Sequence, residues 1–216
     1  MNTDFARKQM VEQQVRAWDV LDKTVLDCLS VVPREHFVPE AYRSLAFAET
    51  EIPLAHGQAM MRPTLEGRLL QSLDLEGDES VLEIGTGSGF LTACLASMAS
   101  AVTSIDIYAD FLDSAHAALG ALDISNVSLL EMDGTESLPD GEYDAIAVTG
   151  SMQTLDERLV SALKPGGRLF VVTGDSPAMA ARLVTRGSGD DRQSVTLFET
   201  DLAPLVNGAL PPQFSF

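Results

Sequence analysis

A regular alternation of strand-like and helix-like segments dominates the chain from Ser80 onward. Apolar runs that suit buried strands occur at residues 81–84, 101–105, 127–130, 143–148 and 168–173. Segments that suit helices lie between them, near residues 91–97, 111–122 and 155–163. Strands that are apolar throughout and alternate with helices are typical of a parallel sheet covered by helices on both faces. We therefore predict an α/β fold.

The carboxyl-terminal part of the chain follows a different pattern. The sequence "KPGG" at residues 164–167 predicts a turn that ends one helix and begins the fifth strand. Residues 180–206 then predict two strands joined by a Gly/Asp turn. Such a pair forms an antiparallel hairpin, which we expect on the edge of the sheet.

The first 79 residues contain no second set of alternating strands and helices. Residues 3–18, 22–32 and 63–73 predict helices, and an irregular segment precedes the third of them. We expect residues 1–79 to form an N-terminal helical cap with a substrate loop, placed over the carboxyl ends of the strands. Residues 80–216 would then form the ligand-binding core, and the two parts together one compact unit.

A glycine-rich turn joins the first strand of the core to its first helix. In "SVLEIGTGSGFLTACLA", residues 80–96, Gly85, Gly87 and Gly89 separate the two segments. Glycines let a ligand approach the backbone closely, and the helix N-terminus that follows attracts an anionic group. The spacing G-x-G-x-G differs from the dinucleotide fingerprint G-x-G-x-x-G. The turn therefore predicts a nucleotide-like ligand without specifying it.

Three carboxylates near the ends of strands narrow the choice of ligand. Asp106 ends the second strand, where a carboxylate can accept both hydroxyls of a ribose. Asp133 and Gly134 end the third strand and suit an adenine edge, and Glu83 can face an ammonium group. Taken singly, Asp106 is also explained as a helix N-cap and Asp133–Gly134 as a turn. In this order, ribose, adenine and an amino-acid end describe S-adenosylmethionine.

Composition excludes several other classes of protein. The net charge of -18, from 14 basic and 32 acidic residues, argues against a nucleic-acid partner. No apolar run approaches the length of a membrane span, and the first ten residues lack the apolar core of a secretory signal. Two cysteines without metal-ligand spacing and three scattered histidines predict a reduced, cytoplasmic protein with no metal site.

Several motifs together resemble the protein-L-isoaspartate O-methyltransferase family. They are the glycine motif, "SID", "MDG", "LKPGGRL" and, more specific to the family, "VPREHFVP" at residues 32–39 and "HGQAMMRP" at 56–63. The resemblance spans nearly the whole chain, as far as "APLVNG" at residues 203–208. It implies a class I methyltransferase (Rossmann-like) fold, with a seven-stranded, mostly parallel sheet, and S-adenosylmethionine as cofactor.

The resemblance also implies two groups of site residues. The cofactor-binding group comprises Glu83, Gly85, Thr86, Gly87, Gly89, Asp106, Ile107, Asp133, Gly134 and Thr149. The substrate loop comprises His56, Gln58, Ala59, Met60 and Met61. We expect residues 55–63 to form a mobile wall beside "APLVNG"; the alternative is an ordered surface connection.

The substrate loop departs from the family pattern at one position. The family has G-Q-T-I-S-x-P, with its Ser assigned to the active site, and this chain has Met61 there. A methionine cannot donate a hydrogen bond to an acceptor carboxylate, and the loss of one such bond to a charged group costs about 1.5–3 kcal/mol. The resemblance therefore predicts a carboxyl methyltransferase whose catalytic Ser position is compromised.

Three functions remain open at this point. The first is methyl transfer to L-isoaspartyl carboxylates of damaged proteins, a repair reaction that needs alignment and exclusion of water rather than a base. The second is transfer to another acceptor, such as a small carboxylate or a modified peptide. The third is a non-catalytic S-adenosylmethionine-binding module. We expect a monomer or weak dimer that takes an isoaspartyl peptide or protein as partner.

Overall fold

The computed structural model describes residues 3–189 and 191–208. Its helices are α1 (Thr3–Gln9), α2 (Lys23–Val31), α3 (Pro63–Leu73), α4 (Phe90–Met98), α5 (Ala109–Gly120) and α6 (Glu157–Ser161). Its strands are β1 (Ile52–Pro53), β2 (Ala59–Met60), β3 (Ser80–Ile84), β4 (Ala101–Asp106), β5 (Val127–Glu131), β6 (Tyr143–Met152), β7 (Leu163–Asp175), β8 (Ala178–Arg186) and β9 (Arg192–Thr200).

Seven strands form the central sheet, in the order β5-β4-β3-β6-β7-β8-β9. Strands β3 to β7 pair in parallel, with Val81 opposite Val102 and Val148 opposite Ile84. Strands β8 and β9 pair antiparallel and form the edge hairpin. The predicted fold class, a mostly parallel seven-stranded sheet with a carboxyl-terminal hairpin, is confirmed.

Alternate residues of the central strands pack into two apolar layers. Val81 belongs to the layer that contains α3 and α4, whereas Leu82 belongs to the layer that contains α6. Both side chains are fully buried, because each face of the sheet is covered. This double cover explains why Val81, Leu82 and Ile84 of β3 are all apolar, as in parallel strands between two helical layers.

The N-terminal helices occur where the sequence predicts them. Helix α1 continues through a π-helical segment, Met10–Val15, and a 3-10 turn, Arg16–Trp18. Asp22 caps α2, since its Oδ1 accepts a 2.9 Å hydrogen bond from the Val25 N–H. Helix α3 begins at Pro63, whose fixed φ suits a first turn. These elements pack on the sheet as part of one apolar cluster.

Two local predictions differ from the structure. The sequence "KPGG" does not connect a helix to a strand, because α6 ends at Ser161 and β7 already begins at Leu163. The buried Leu163 pairs with Tyr143, and the next pair is Ala145 with Arg168, so that residues 164–167 bulge out of the strand. The segment predicted as irregular contains a short ladder in which Ile52 pairs with Met60.

No helix within the described ranges combines the length and apolar character that crossing a membrane requires.

Candidate active site

One cavity opens at the carboxyl ends of the parallel strands. Its floor is formed by residues that follow β3, β4 and β5, and its walls come from the N-terminal segment and the carboxyl-terminal segment. The lining includes Glu51, Leu54, Gln58, Ala59, Met60, Met61, Glu66, Gly85, Thr86, Gly87, Asp106, Ile107, Tyr108, Met132, Gly134, Thr149, Gly150 and Leu202 to Val206. Open α/β sheets bind ligands at this edge.

The glycine turn has a backbone that residues with side chains rarely adopt. Gly85, Gly87 and Gly89 have φ angles of 98°, 51° and 83°. A Cβ on Gly85 would collide with the Thr149 hydroxyl, which donates 2.9 Å hydrogen bonds to the carbonyls of Ile84 and Gly85. Gly85, Thr86, Gly87 and Thr149 line the cavity, whereas Gly89 lies under the start of α4, where a Cβ would meet Ala115 at 2.8 Å.

Asp106 is held at the end of β4 by two backbone groups. Its Oδ2 accepts a hydrogen bond from the Gly87 N–H at 2.9 Å, and its Oδ1 accepts one from the Tyr108 N–H at 3.0 Å. Burial raises the pKa of this carboxyl, and the two hydrogen bonds oppose that effect. Each oxygen retains acceptor capacity for a ligand hydroxyl. Ile107 lines the cavity beside it.

Glu83 lies behind the glycine turn rather than in the cavity lining. Its side chain is fully buried, and Oε2 accepts hydrogen bonds from the Thr92 hydroxyl at 2.5 Å and the Ser104 hydroxyl at 2.6 Å. Burial raises its pKa to about 8, against the opposing effect of the two hydroxyls. Glu83 therefore supports the glycine turn from the side away from the cavity, and its second oxygen, Oε1, is buried without a hydrogen-bond partner among the described residues.

Asp133 has its carboxylate occupied by neighbouring residues. Oδ1 accepts hydrogen bonds from the Thr135 N–H at 2.8 Å and the Thr135 hydroxyl at 2.6 Å, while Oδ2 accepts one from the Asn207 side chain at 2.7 Å. These bonds lower the pKa of Asp133, although partial burial opposes them. Gly134 lines the cavity and Asp133 does not. The acid therefore fixes a turn and ties it to the carboxyl-terminal segment.

The substrate loop contributes four of its five predicted residues to the cavity. Gln58, Ala59, Met60 and Met61 line it, and both methionine side chains are buried. His56 instead points to the outside of α5: its ring stacks on Tyr108 with centroids 4.0 Å apart, and its Nε2 lies 2.9 Å from the Asp110 carboxylate. The loop is thus attached to the cofactor side of the cavity.

A buried ion pair, which the sequence analysis missed, holds the loop from behind. Arg34 is fully buried and donates hydrogen bonds to the carbonyls of Ala46 at 2.9 Å and Met61 at 2.8 Å. It also donates to the Glu66 carboxylate, and its guanidinium lies 4.7 Å from the Phe90 ring centroid. One signal was available, because Glu66 precedes Leu69 and Leu70 by three and four residues on the apolar face of α3.

The carboxyl-terminal segment closes the opposite wall. The Ser151 N–H donates to the Ala203 carbonyl at 2.9 Å, and the Leu205 N–H donates to the Ser151 carbonyl at 3.0 Å. A Cβ on Gly150 would lie 2.8 Å from Leu205, so that only a residue without a side chain fits there. The "APLVNG" segment and the substrate loop therefore face the same cavity.

Among the residues that the structure describes, no three His, Cys, Asp or Glu side chains are grouped so as to hold a metal ion. Cys28 and Cys94 are both free and buried.

The donor set of the cavity fits a nucleoside that carries an amino-acid tail. The absence of a Cβ at Gly85 and Gly87 leaves the backbone of the turn accessible from the cavity. The Asp106 carboxylate lies at the end of β4, and Ile107 and Met132 supply apolar surface. With the strand order described above, this site defines a class I methyltransferase that uses S-adenosylmethionine.

Comparison with known proteins specifies the family. The sequence model described as "Protein-L-isoaspartate(D-aspartate) O-methyltransferase (PCMT)" matches residues 6–209. The chain therefore belongs to the protein-L-isoaspartate O-methyltransferase family. It is 40% identical over 208 residues to protein-L-isoaspartate O-methyltransferase 1 of Rhodopseudomonas palustris, covering 94% of this chain and 85% of the relative. It is 32% identical to the Aliivibrio salmonicida protein-L-isoaspartate O-methyltransferase, covering 95% and 98% of the two chains.

Solved structures share the fold at lower sequence identity. A beta-aspartate methyltransferase (PCMT) from Plasmodium falciparum, in complex with S-adenosyl-L-homocysteine, superposes with a TM-score of 0.78 at 20% identity and covers 95% of this chain and 98% of its own. A second protein-L-isoaspartate O-methyltransferase superposes with a TM-score of 0.79 at 22% identity, covering 92% of this chain and 65% of its own. The part of the chain that these superpositions cover thus adopts an architecture known for this family.

Proposed function

We propose that this protein transfers the methyl group of S-adenosylmethionine to the free carboxyl of L-isoaspartyl residues in damaged proteins and peptides, which begins their repair. The observation that carries the proposal is a single cavity that joins the glycine turn and Asp106 to the substrate loop of a chain belonging to this family. The cavity provides a place for both reactants, one at each end.

The cofactor end is assigned to residues with exposed backbone and one carboxylate. We propose that Asp106 accepts the ribose hydroxyls, and that Gly85 and Gly87 let the amino-acid tail approach the turn. Ile107, Gly134 and Thr149 complete the wall around the nucleoside. Glu83, Gly89 and Asp133 act indirectly, since they support the turns and do not line the cavity.

The acceptor end is assigned to the substrate loop. S-adenosylmethionine supplies an electrophilic methyl group on a sulfonium when it is bound. An isoaspartyl carboxylate is ionised at neutral pH, so that the chain has to orient one of its oxygens and exclude water rather than remove a proton. Leu54, Met60 and Met61 supply apolar surface for that exclusion. Residues 3–79 are therefore proposed as a cover that carries the substrate loop over the core.

The buried Met61 supports a second candidate function. An apolar side chain beside an anionic acceptor leaves that acceptor with one fewer hydrogen-bond donor. A related methyltransferase with another acceptor, such as a small carboxylate or a modified peptide, would tolerate this better. The chain would in that case bind S-adenosylmethionine normally and discriminate poorly between isoaspartyl and aspartyl peptides.

Charge and thiol chemistry support the remaining assignments. The net charge of -18 opposes binding to nucleic acid, and we propose that the macromolecular partner is the damaged protein itself. Two buried, free cysteines agree with a reducing, cytoplasmic environment. We propose a monomer or a weak dimer in solution.

A methyl-transfer assay tests the proposed function. Protein and S-adenosyl-[methyl-³H]methionine are incubated with an isoaspartyl peptide and with its aspartyl twin of the same sequence. We expect label in the isoaspartyl peptide alone, and its loss in the Asp106→Ala variant, which lacks the carboxylate of the cofactor end. Equal labelling of both peptides would favour the second candidate function. Saturable binding of S-adenosylhomocysteine with no labelled product would favour a binding module.

A further inference from the structure

Glu66 is a buried acid at the acceptor end of the cavity. It lies in the first turn of α3, is 2% exposed and lines the same cavity as Met61 and the glycine turn. One of its oxygens, Oε2, is paired with Arg34, whose Nη2 holds the Met61 carbonyl at 2.8 Å. Arg34 therefore holds Glu66 and the substrate loop in a fixed relative position.

The second oxygen of Glu66 has no such partner. Within residues 3–189 and 191–208, Oε1 takes part in no hydrogen bond, although the side chain borders the cavity. Unlike the enclosed Oε1 of Glu83, Oε1 of Glu66 is open to the cavity, where an occupant can form a hydrogen bond with it. The arrangement leaves one oxygen of a rigid carboxyl available to whatever occupies the acceptor end.

We propose that Glu66 recognises the acceptor: in its protonated form it donates the Oε1–H to the acceptor carboxylate, while Oε2 continues to accept from Arg34. This inference rests on the proposed function, because it assigns Glu66 to an isoaspartyl carboxylate. The Arg34 cation, the neutral Glu66 carboxyl and the acceptor anion are then linked in that order by hydrogen bonds. An ionised Glu66 would instead repel the acceptor.

The charges around Glu66 make the protonated form accessible near neutral pH. Burial raises the pKa of Glu66 to about 7, an effect reinforced by the negative charge of Glu49 and opposed by the positive charge of Arg34. The thiol of Cys94, on α4, is a further titratable group that interacts with this pair, and burial keeps it in its neutral form by raising its pKa. Arg34 keeps its hydrogen bonds to two carbonyls in either state of Glu66.

The proton balance follows from this arrangement. Above pH 7, binding of an anionic acceptor takes up one proton from solvent onto Glu66. The methyl group then forms its bond to the acceptor oxygen, and its bond to sulfur breaks. The Glu66 proton takes no part in that step and returns to solvent when the neutral ester leaves.

Three substitutions separate this role from a structural one. Glu66→Gln keeps an oxygen for Arg34 and an N–H donor for the acceptor at every pH. Glu66→Leu removes both. Glu49→Gln changes only the charge near Glu66, because Glu49 bonds to Thr64 and lies outside the lining of the cavity. Single-turnover transfer to the isoaspartyl peptide is measured between about pH 5.5 and 9, and S-adenosylhomocysteine affinity is measured for each protein.

The wild-type rate should fall about tenfold per pH unit above roughly pH 7, in step with the fraction of neutral Glu66. Glu66→Gln should keep the low-pH rate with no such fall, and Glu66→Leu should be about tenfold to a hundredfold slower. Glu49→Gln should keep the low-pH rate and begin its fall at a lower pH, because it lacks a negative charge that raises the pKa of Glu66. Affinity for S-adenosylhomocysteine should be unchanged in all of them.

Two kinds of result would overturn the inference. A Glu66→Gln protein that is as slow as Glu66→Leu, or that keeps the wild-type pH dependence while transfer itself occurs, contradicts the role of Glu66 and leaves the proposed function intact. Absence of transfer by every protein at every pH, with normal S-adenosylhomocysteine binding, contradicts the proposed function and the acceptor contact assigned to Glu66 with it.

Discussion

The two ends of the cavity are lined by different kinds of chemical groups. At the cofactor end, the glycine turn supplies exposed backbone beside one carboxylate, Asp106, which two N–H groups hold, and Ile107 and Met132 add apolar surface. At the acceptor end, the surface is made of side chains, including Met60, Met61 and Glu66. A backbone surface depends on local sequence, whereas a side-chain surface depends on which distant elements pack together. The acceptor end can therefore change while the cofactor end stays intact.

The largest effect is expected at the buried ion pair that holds the acceptor end. Arg34→Met removes a cation that is fully buried and leaves Glu66 without its partner. Breaking such a pair from one side costs about 3–5 kcal/mol of folding stability. Chemical denaturation measures the loss, and Arg43→Met, at an exposed position in the same N-terminal segment, is the control. A loss below about 1 kcal/mol would mean that the pair does not organise this end.

The next effect is expected in the glycine turn. Gly85→Ala places a Cβ against the Thr149 hydroxyl at a φ of 98°, and we expect the turn to shift and S-adenosylhomocysteine to bind about a hundredfold more weakly, or about 3 kcal/mol. Gly77→Ala is a matched control, since Gly77 has a φ of 96° and a Cβ there would meet no atom within 4 Å. The control variant is strained by its positive φ, but titration calorimetry should show that it keeps the wild-type affinity for S-adenosylhomocysteine. Equal losses of affinity in both variants would refute the role of the cavity-lining glycine.

The pH dependence of folding stability tests how Glu83 supports the glycine turn. Its pKa is about 8 in the folded chain against an ordinary value of 4.5. The folded state therefore binds the proton more tightly, and the stability that Glu83 contributes is present at low pH and is lost as the pH rises through 8. The loss between pH 5.5 and 8.5 should be smaller in Glu83→Gln, by about 1–3 kcal/mol. The raised pKa of Glu66 also makes stability fall as the pH rises. The slope of unfolding free energy against pH is therefore compared between the wild type and Glu83→Gln. Parallel slopes would contradict the assignment.

The smallest effect is expected at the contact between the substrate loop and α5. His56→Asn keeps a residue that tolerates the left-handed φ of 56° but removes the ring that stacks on Tyr108 and pairs with Asp110. Both partners of the His56–Asp110 hydrogen bond are partly exposed, so that the loss should be at most about 1 kcal/mol. We expect faster hydrogen exchange in residues 55–61, and no change in an exposed control, His116→Asn. Exchange that is slow and identical in both proteins would favour an ordered surface connection.

The difference between the two ends also explains what could be predicted from the sequence. The alternation of strands and helices, the glycine turn and the position of Asp106 depend on neighbouring residues, and the structure brings Gly85, Gly87 and Asp106 to one cavity. The Arg34–Glu66 pair joins residues 32 positions apart, and no local pattern specifies which acid a buried arginine meets.

Two other residues mark the limit of local reasoning. Glu83 follows an apolar run at a position that suits a ligand contact, yet the alternation of side chains along β3 directs it to Thr92 and Ser104 instead of the cavity. The "KPGG" sequence has the composition of a turn between elements, but the pairing of the buried Leu163 with Tyr143 starts the strand before it. In both cases the geometry of the sheet decides the outcome, through side-chain alternation for Glu83 and through strand pairing for Leu163.

The most direct test of the account compares methyl transfer by the wild-type protein and by Met61→Ser at saturating S-adenosylmethionine. At about pH 8, where Glu66 is mostly ionised, the wild type lacks the donor that a protonated Glu66 supplies, and the serine hydroxyl adds another at the acceptor end. The account predicts single-turnover transfer to the isoaspartyl peptide that is about tenfold to a hundredfold faster in Met61→Ser, with unchanged S-adenosylhomocysteine affinity. An equal or lower rate in Met61→Ser would contradict it, because Met61 would then simply pack within a loop shaped around it.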